Sequence, residues 1–424
     1  MKDETIAIHS GYQTDPTTKA VAVPIYQTVA YEFDNAQHGA DLFNLAVPGN
    51  IYTRIMNPTN DVLEQRVAAL EGGVAALALS SGQAAIHYSI INIAEAGNNI
   101  VSVPMLYGGT YTLFAHMLPK LGIDVRFAKD DRAASMEPLI DDKTVAVYCE
   151  TLGNPAGNIP DLETITRMAH RHGIPVIVDN TVPTPVLMKP IEYGADIVVH
   201  SLTKYMGGHG TSIGGIIVDS GKFPWAEHAQ RFPMLNNPEP AYHGVIYTEA
   251  LGPAAYIGRV RTVALRNTGS AMSPMNAFFF LQGIETLSLR MERHTENALN
   301  VAHYLDKHPR VAWVKYAGLP SSEYYPLAQK YMKGRPSALL AFGIKGGFDA
   351  GVKFYDALKL FKRLVNIGDA KSLAAHPAST THRQLTGPEL AAAGVTADMI
   401  RLCIGIEHID DILEDLQQAL AAAS

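Results

Sequence analysis

The chain has 424 residues, 47% of them hydrophobic and 18% charged, so it is long enough for roughly two to three domains and too apolar to be disordered. Its formal net charge of -7 argues against nucleic acid or an anionic membrane as the main partner. No apolar run approaches the ~20 residues of a membrane span, and the N-terminus lacks a secretory signal pattern. Because Cys149 and Cys403 are the only cysteines, there is no disulfide framework, and we expect a cytoplasmic protein.

The pattern of apolar residues divides the chain into three segments. Residues 1–56, which carry several prolines, glycines and aromatic residues, predict an irregular arm. Residues 57–265 alternate short apolar strands with amphipathic helices, which is typical of a mostly parallel sheet covered on both faces. Residues 266–424 mix strands and helices and predict a smaller α+β domain. The predicted fold class is therefore α/β, with a large domain followed by a C-terminal α+β domain.

Two of the predicted helices are long. The stretch "SGQAAIHYSIINIAEAG" predicts a helix over 81–97 that ends at a glycine. The stretch that starts with "MNAFFFLQGIETLSLRMERH" predicts one continuous helix over 275–308, at the start of the second domain.

The stretch "LALSSGQAA" takes a predicted strand directly into Ser81, Gly82 and Gln83 and then into a helix. A helix N-terminus offers free N–H groups and a partial positive charge, which together suit a phosphate. Taken alone, the stretch is better explained by an ordinary capped helix. The glycine patterns of dinucleotide sites and of P-loops do not occur in the chain, which disfavours both of those classes.

Two later strands end in "VIVDNT" and "DIVVHSLTK", so Asp179 and Lys204 follow successive strands. Ligands of open α/β sheets bind at the carboxyl ends of strands, and neighbouring strands would bring these two residues to one crevice. With the phosphate site they suggest pyridoxal phosphate: Lys204 would bind the aldehyde, and Asp179 would keep the pyridine nitrogen protonated. The hydroxyls of Ser201 and Thr203 would help to hold the phosphate.

Other strand ends carry weaker candidates. Tyr107, in "MLYGGTY", could stack on the cofactor ring, although a lone tyrosine is more often a core residue. In "VYCETLGNP", Glu150 and Asn154 lie just past a strand end, where a turn at Asn-Pro is a sufficient explanation.

A buried arginine in the second domain is a candidate for binding a substrate carboxylate. Arg401 lies in the apolar strand "MIRLCIGIE", and a buried guanidinium needs a partner such as the carboxylate of an amino acid. Tyr52 and Arg54, at the end of the arm, suit a phosphate, but a surface pair is an equally simple interpretation. We expect no metal site, because His209, His376 and His382 lack zinc-ligand spacing.

Several motifs together resemble one family over essentially the whole chain. The motifs "IYTRIMNPTN", "SSGQAA", "VIVDNT", "HSLTKYMGGHG", "HPASTTH" and "RLCIGIEH" are similar to those of the pyridoxal-phosphate enzymes of cysteine and methionine metabolism. The resemblance implies PLP fold-type I architecture and a homotetramer with shared active sites. It implies that Lys204 carries the cofactor and shuttles protons, and it gives the other site residues their roles. These are Asp179 at the ring nitrogen, Tyr107 on the ring, Asn154 near the cofactor hydroxyl, Ser81, Gly82, Gln83, Ser201 and Thr203 at the phosphate, Arg401 and Asn366 at the substrate, and Tyr52 and Arg54 reaching a neighbouring subunit's site.

Within that family the sequence is most similar to the O-acetylhomoserine sulfhydrylases. The segment "VNIGDAKSLAAHPAS" has Asn366 where many lyases have serine, and "NNPEPAYHG" is also similar to the sulfhydrylases. Gly109 stands where methionine γ-lyases carry cysteine, and Gln83 where several cystathionine enzymes have methionine. The implied reaction joins O-acetyl-L-homoserine and sulfide, or methanethiol, and gives homocysteine and acetate in the case of sulfide.

Three other functions remain open at this point. The first is a methionine or cystathionine γ-lyase, and the second is a sulfhydrylase that uses O-succinylhomoserine. The third is a non-catalytic pyridoxal-phosphate-binding protein, since a fold alone does not fix a function. Every expected catalytic residue type is retained, which argues against the third.

Overall fold

The computed structural model describes residues 1–154, 157–380 and 395–423. Within these residues the strands form two sheets. In chain order they are β1 (Ala75–Leu79), β2 (Asn99–Ser102), β3 (Asp124–Phe127), β4 (Thr144–Glu150), β5 (Val176–Asp179), β6 (Ile197–Ser201), β7 (Gly215–Asp219), β8 (Val311–Lys315), β9 (Leu339–Ile344), β10 (Lys362–Arg363), β11 (Leu373–Ala375) and β12 (Met399–Cys403).

The helices cover both sheets, and among the described residues none is long and apolar enough to cross a membrane. The α-helices are α1 (Asp3–His9), α2 (Ala36–Phe43), α3 (Pro58–Glu71), α4 (Gly82–Ile91), α5 (Gly108–Thr112), α6 (Ala133–Met136), α7 (Leu162–Arg171), α8 (Thr184–Leu187), α9 (Pro233–Asn236), α10 (Tyr247–Leu251), α11 (Ala255–Arg259), α12 (Arg266–Thr268), α13 (Pro274–Glu285), α14 (Leu287–Asp306), α15 (Tyr325–Met332), α16 (Gly347–Ala357) and α17 (Ile409–Ala422). Shorter 3₁₀ and π turns continue several of them. One such pair, Leu113–Met117 and Leu118–Leu121, continues α5 through Pro119.

The larger sheet has seven strands in the order β1-β7-β6-β5-β4-β2-β3. Strands β2 to β6 are paired in parallel, and β7 runs antiparallel to both of its neighbours. Strands that are buried on both faces have nearly continuous apolar sequences, as in "VIVD" and "IVVH". The predicted mostly parallel mixed sheet is confirmed. Its parallel strands bring the carboxyl ends of β4, β5 and β6 to one edge.

The smaller sheet has five strands in the order β10-β11-β12-β9-β8 and is mainly antiparallel. Three of these strands are absent from the sequence prediction. Strands β10 and β11 have two and three residues, too few for a period to show, and β8 is only partly buried. Helices α13 and α14 connect the larger sheet to the smaller sheet along the chain. The domain boundary at residues 265 and 266 stays a prediction.

Both long helices end earlier than predicted. Helix α4 stops at Ile91, short of residue 97, and the carbonyl of Asn92 accepts a hydrogen bond from Arg259 Nη1 at 2.6 Å. The predicted helix over 275–308 is two helices that meet at Thr286, where φ is -109° and ψ is 11°. There the guanidinium of Arg290 takes the carbonyl of Gly283, which a continuous helix would give to its own backbone.

The arm over residues 1–56 is less irregular than predicted. Helix α1 buries Ala7 against the core, and Asp3 forms an ion pair of 2.6 Å with Lys189. Helix α2 is capped by Asn35, whose side chain accepts the N–H of His38 at 2.9 Å. The rest of the arm is mainly exposed.

Candidate active site

A cavity of about 280 Å³ lies at the carboxyl ends of the parallel strands. Every predicted site residue except Tyr52 and Arg54 lines it: Ser81, Gly82, Gln83, Tyr107, Asn154, Asp179, Ser201, Thr203, Lys204, Asn366 and Arg401. Its remaining walls are mainly apolar. The larger sheet brings the residues from Ser81 to Lys204 together, because strand ends that are far apart in sequence share one edge. Asn366 and Arg401 reach the cavity from the smaller sheet.

The N-terminus of α4 forms one wall of the cavity. The hydroxyl of Ser81 caps the helix by accepting the N–H of Ala84 at 3.1 Å. The amides of Gly82 and Gln83, in the first turn, have no partner within the helix. A Cβ at Gly82 would lie 2.6 Å from Cβ of Ser201, so glycine lets the helix end sit directly on the end of β6. The hydroxyl of Thr203 contacts the amide and carbonyl of Gly214. This wall offers the donors that a phosphate requires.

Two carboxyl groups lie side by side at the floor of the cavity. Glu150 is paired with Asp179 in the register of β4 and β5. Asp179 accepts the N–H of Thr181 at 2.9 Å, and burial raises its pKa. Burial, together with Asp179, raises the pKa of Glu150 well above its usual range. Within the described residues Asp179 has no cationic side chain paired with it, so it is a buried acceptor suited to a protonated ring nitrogen.

Lys204 lies just beyond β6, next to the second sheet. Its Nζ donates a hydrogen bond to Oδ1 of Asn366 at 2.5 Å. Burial, and then the charge of Arg401, lowers the pKa of Lys204. A lysine with a lowered pKa has more of its amine in the neutral, nucleophilic form.

Arg401 faces the cavity from β12 and is 9% exposed. Its Nη2 donates to the carbonyl of Asn366 at 3.1 Å, and its Nη1 approaches Oδ1 of Asn154 at 3.4 Å. Its Nε is buried without a hydrogen-bond partner. Within the described residues no carboxylate pairs with it, so the guanidinium is available to a carboxylate ligand.

Tyr107 stands at the rim, with 48% of its surface exposed. A Cβ at Gly109 would lie 2.7 Å from Cε1 of Tyr107, so the ring packs closely over this glycine. Tyr52 and Arg54 do not line the cavity of their own chain. Arg54 donates to the carbonyl of Arg266, and its guanidinium lies 5.6 Å from the centre of the Tyr52 ring. Their predicted place in a neighbouring subunit's site stays a prediction.

Sequence reasoning noticed Glu150 but gave it no role in the site. The signal that could have found it is its position at the end of a buried strand parallel to the strand of Asp179. Of the histidines, His376 bonds to Ser379 and to the carbonyl of Ala397, whereas Thr381 and His382 of "HPASTTH" lie outside the described residues. No group of three metal-ligating side chains occurs in the part of the chain that the structure describes.

A second cavity, of about 540 Å³, lies between α3 and the segment around α11. Its buried carboxylate, Glu64, is already bonded to Arg261 and to the N–H of Ala78. Among the described residues no lysine, histidine or cysteine lines this second cavity, in contrast to the first.

The residues of the first cavity fit pyridoxal phosphate: an amine, a buried carboxyl without a cation, and a helix N-terminus flanked by hydroxyls. The sequence profile described as Cys/Met metabolism PLP-dependent enzyme matches residues 4–421. The chain belongs to this family. It is therefore a pyridoxal-phosphate enzyme, as predicted, and its fold has the predicted two-part, fold-type I architecture.

Relatives of this Cys/Met metabolism PLP-dependent enzyme match over almost their full length. The chain is 53% identical to an O-acetyl-L-homoserine sulfhydrylase of Leptospira meyeri, covering 99% of this chain and 96% of that protein. It is 52% identical to a homocysteine synthase of Schizosaccharomyces pombe, covering 99% and 98%. A crystal structure of an O-acetylhomoserine (thiol)-lyase from Campylobacter jejuni superimposes with a TM-score of 0.96 at 42% identity and covers 99% of this chain and 100% of that one. That structure contains N'-pyridoxyl-lysine-5'-monophosphate.

Proposed function

We propose that the chain is an O-acetylhomoserine sulfhydrylase, which converts O-acetyl-L-homoserine and sulfide to L-homocysteine and acetate. The observation that carries this proposal is the convergence of Lys204, Asp179 and Arg401 on one cavity, in a chain about half identical to sulfhydrylases along its whole length. The same similarity supports a place in methionine biosynthesis.

Each end of the cavity has its own task. The N-terminus of α4, with the hydroxyls of Ser201 and Thr203, holds the phosphate, and Asp179 holds the protonated ring nitrogen. When bound, pyridoxal phosphate supplies an electron-poor ring that accepts the negative charge left at the substrate α-carbon. Arg401 binds the substrate carboxylate through its planar fork.

Lys204 is the group that moves protons. Its burial and its neighbour Arg401 lower its pKa, which increases the share of neutral amine that can accept a proton from the α-carbon. Loss of a β-proton then allows the γ-acetate to leave, and sulfide adds at the γ-carbon. The two protons then return to the β- and α-carbons, which completes homocysteine. Tyr107, at the rim, assists proton transfer at the leaving group.

The proposal includes a homotetramer with shared sites, located in the cytoplasm. Tyr52 is 39% exposed and, like Arg54, lies outside the cavity of its own chain. Their phosphate-binding side chains therefore suit the cavity of a neighbouring subunit. In such an assembly Tyr52 also contacts the substrate bound there.

One panel of assays tests the function. Purified enzyme is given O-acetylhomoserine, O-succinylhomoserine or O-acetylserine, each with sulfide, methanethiol or cysteine, and homocysteine and acetate are measured. We expect the highest kcat/KM with O-acetylhomoserine and sulfide. Release of oxobutyrate from methionine at a greater rate than homocysteine synthesis would instead identify a γ-lyase. A Lys204→Ala variant that kept full turnover would exclude the proposed role of the lysine.

A further inference from the structure

Glu150 has no task in the function proposed above, although it lines the same cavity. It is the last residue of β4, it is 6% exposed, and it lies beside Asp179. A buried carboxyl group is costly unless it is hydrogen-bonded. Burial and the neighbouring Asp179 raise the pKa of Glu150, which favours its neutral form over a second negative charge beside Asp179.

The hydrogen bond that Glu150 makes leads directly to Tyr107. Oε1 of Glu150 accepts the backbone N–H of Tyr107 at 2.7 Å. Tyr107 is the residue before α5, and its own side chain makes no capping bond to that helix. The bond to Glu150 therefore ties the start of α5 to the end of β4, across the floor of the cavity.

The position of the Tyr107 ring is set mainly by the backbone of Tyr107. Its side chain is about half exposed and rests on Gly109, so few surrounding side chains hold it in place. A shift of its backbone would carry the ring away from the cavity. The chain thus needs an acceptor at this point that does not bring a second full negative charge next to Asp179.

We propose that Glu150 is a positioning residue, which holds the backbone of Tyr107 so that the Tyr107 ring stays over the cofactor cavity. The inference rests on the proposed function only in that pyridoxal phosphate binds there. It differs from a purely structural role, because its effect on the cofactor passes through Tyr107.

The test uses the holoenzyme and two variants of matched size. Glu150→Gln keeps a neutral acceptor at the same place, and Glu150→Leu removes it. The measurements are the visible circular dichroism of the bound cofactor and the cofactor dissociation constant. We expect Glu150→Leu to change the dichroism and to weaken cofactor binding about tenfold, the effect of one lost hydrogen bond. Glu150→Gln keeps the wild-type dichroism.

A double-mutant cycle with Tyr107→Ala separates positioning from simple loss of structure. In the Tyr107→Ala background, Glu150→Leu should weaken cofactor binding by less than about twofold, because the group through which it acts is gone. The proposal is overturned if the full effect persists in that background, if Glu150→Gln is as impaired as Glu150→Leu, or if Glu150→Leu leaves the dichroism unchanged.

Two further controls keep the result interpretable. If Glu150→Leu does not fold, Glu150→Asp takes its place in every comparison, since it is shorter by about 1.5 Å, one C–C bond, and cannot reach the Tyr107 amide. None of the measurements requires turnover. An enzyme that failed to make homocysteine would refute the proposed function, and the dichroism and the cycle would still decide the role of Glu150.

Discussion

The amine of Lys204, just beyond β6 of the larger sheet, donates a hydrogen bond of 2.5 Å to the side-chain oxygen of Asn366, which precedes β11 of the smaller sheet. The backbone carbonyl of Asn366 accepts a second bond, from Arg401. One residue therefore contacts both the amine of Lys204, to which we assign proton transfer, and the guanidinium of Arg401, to which we assign the substrate carboxylate. Its two contacts are separable, because one uses the side chain and the other the backbone.

Replacing Asn366 with serine should affect turnover more than substrate binding. The shorter side chain cannot reach Lys204, whereas the backbone carbonyl still holds Arg401. We expect kcat to fall about tenfold, equivalent to the loss of one hydrogen bond, with little change in the KM for O-acetylhomoserine. Steady-state kinetics check this. A large rise in KM at constant kcat would show that the side chain serves the substrate instead.

Arg401→Lys should impair substrate binding, because lysine cannot form the two parallel hydrogen bonds of a guanidinium. We expect kcat/KM to fall about 100-fold, mainly through KM, while the absorbance of the bound cofactor is retained. Arg363→Lys is the matched control, since Arg363 is exposed on β10 and bonds to the carbonyl of Asp356. Equal losses in both variants would contradict a specific role for Arg401.

Asp179→Asn should have opposite effects on the cofactor-free protein and the holoenzyme. Burial raises the pKa of Asp179, so the unfolded state ionises more readily and the native state loses stability as pH rises above about 4. The variant removes this cost. We expect its cofactor-free form to gain about 1–3 kcal/mol at neutral pH, with the gain vanishing below about pH 4.

Urea unfolding between pH 4 and pH 8 measures that gain. In the holoenzyme the same substitution removes the carboxylate that we assign to the ring nitrogen, and we expect cofactor affinity and turnover to fall about 100-fold or more. If cofactor-free Asp179→Asn showed no gain in the free energy of unfolding, the carboxyl group of Asp179 would have a stabilising partner within the native chain.

Gly109→Cys should displace the ring of Tyr107. A Cβ at residue 109 would lie 2.7 Å from Cε1 of that ring, closer than packed carbon atoms approach. Because the ring is half exposed it can move away, so we expect a folded protein with about tenfold lower kcat/KM. The neighbouring Gly108→Ala is the control, since a Cβ there meets no atom within 4 Å. Equal activities of the two variants would contradict the expected displacement.

The amino-acid sequence by itself was sufficient to predict the mostly parallel sheet and to predict that Asp179 and Lys204 lie at one cavity. Both follow uninterrupted apolar strands, and the rule that such strands align in parallel makes their ends meet. The capped start of α4 is also local, since Ser81 and Gly82 are adjacent in the chain. Apolar runs and helix caps are each defined by a few adjacent residues, so a single sequence is enough to detect them.

Only the tertiary structure decided where the long helices end and what fixes Tyr107 and Lys204. Arg259 takes the carbonyl of Asn92, and Arg290 takes that of Gly283 together with those of Tyr205 and Met206. The contacts of Glu150 with Tyr107 and of Asn366 with Lys204 join residues that are 43 and 162 positions apart in the chain. A backbone group bonds to whichever partner folding brings near it, and no period or motif along the sequence records partners so distant.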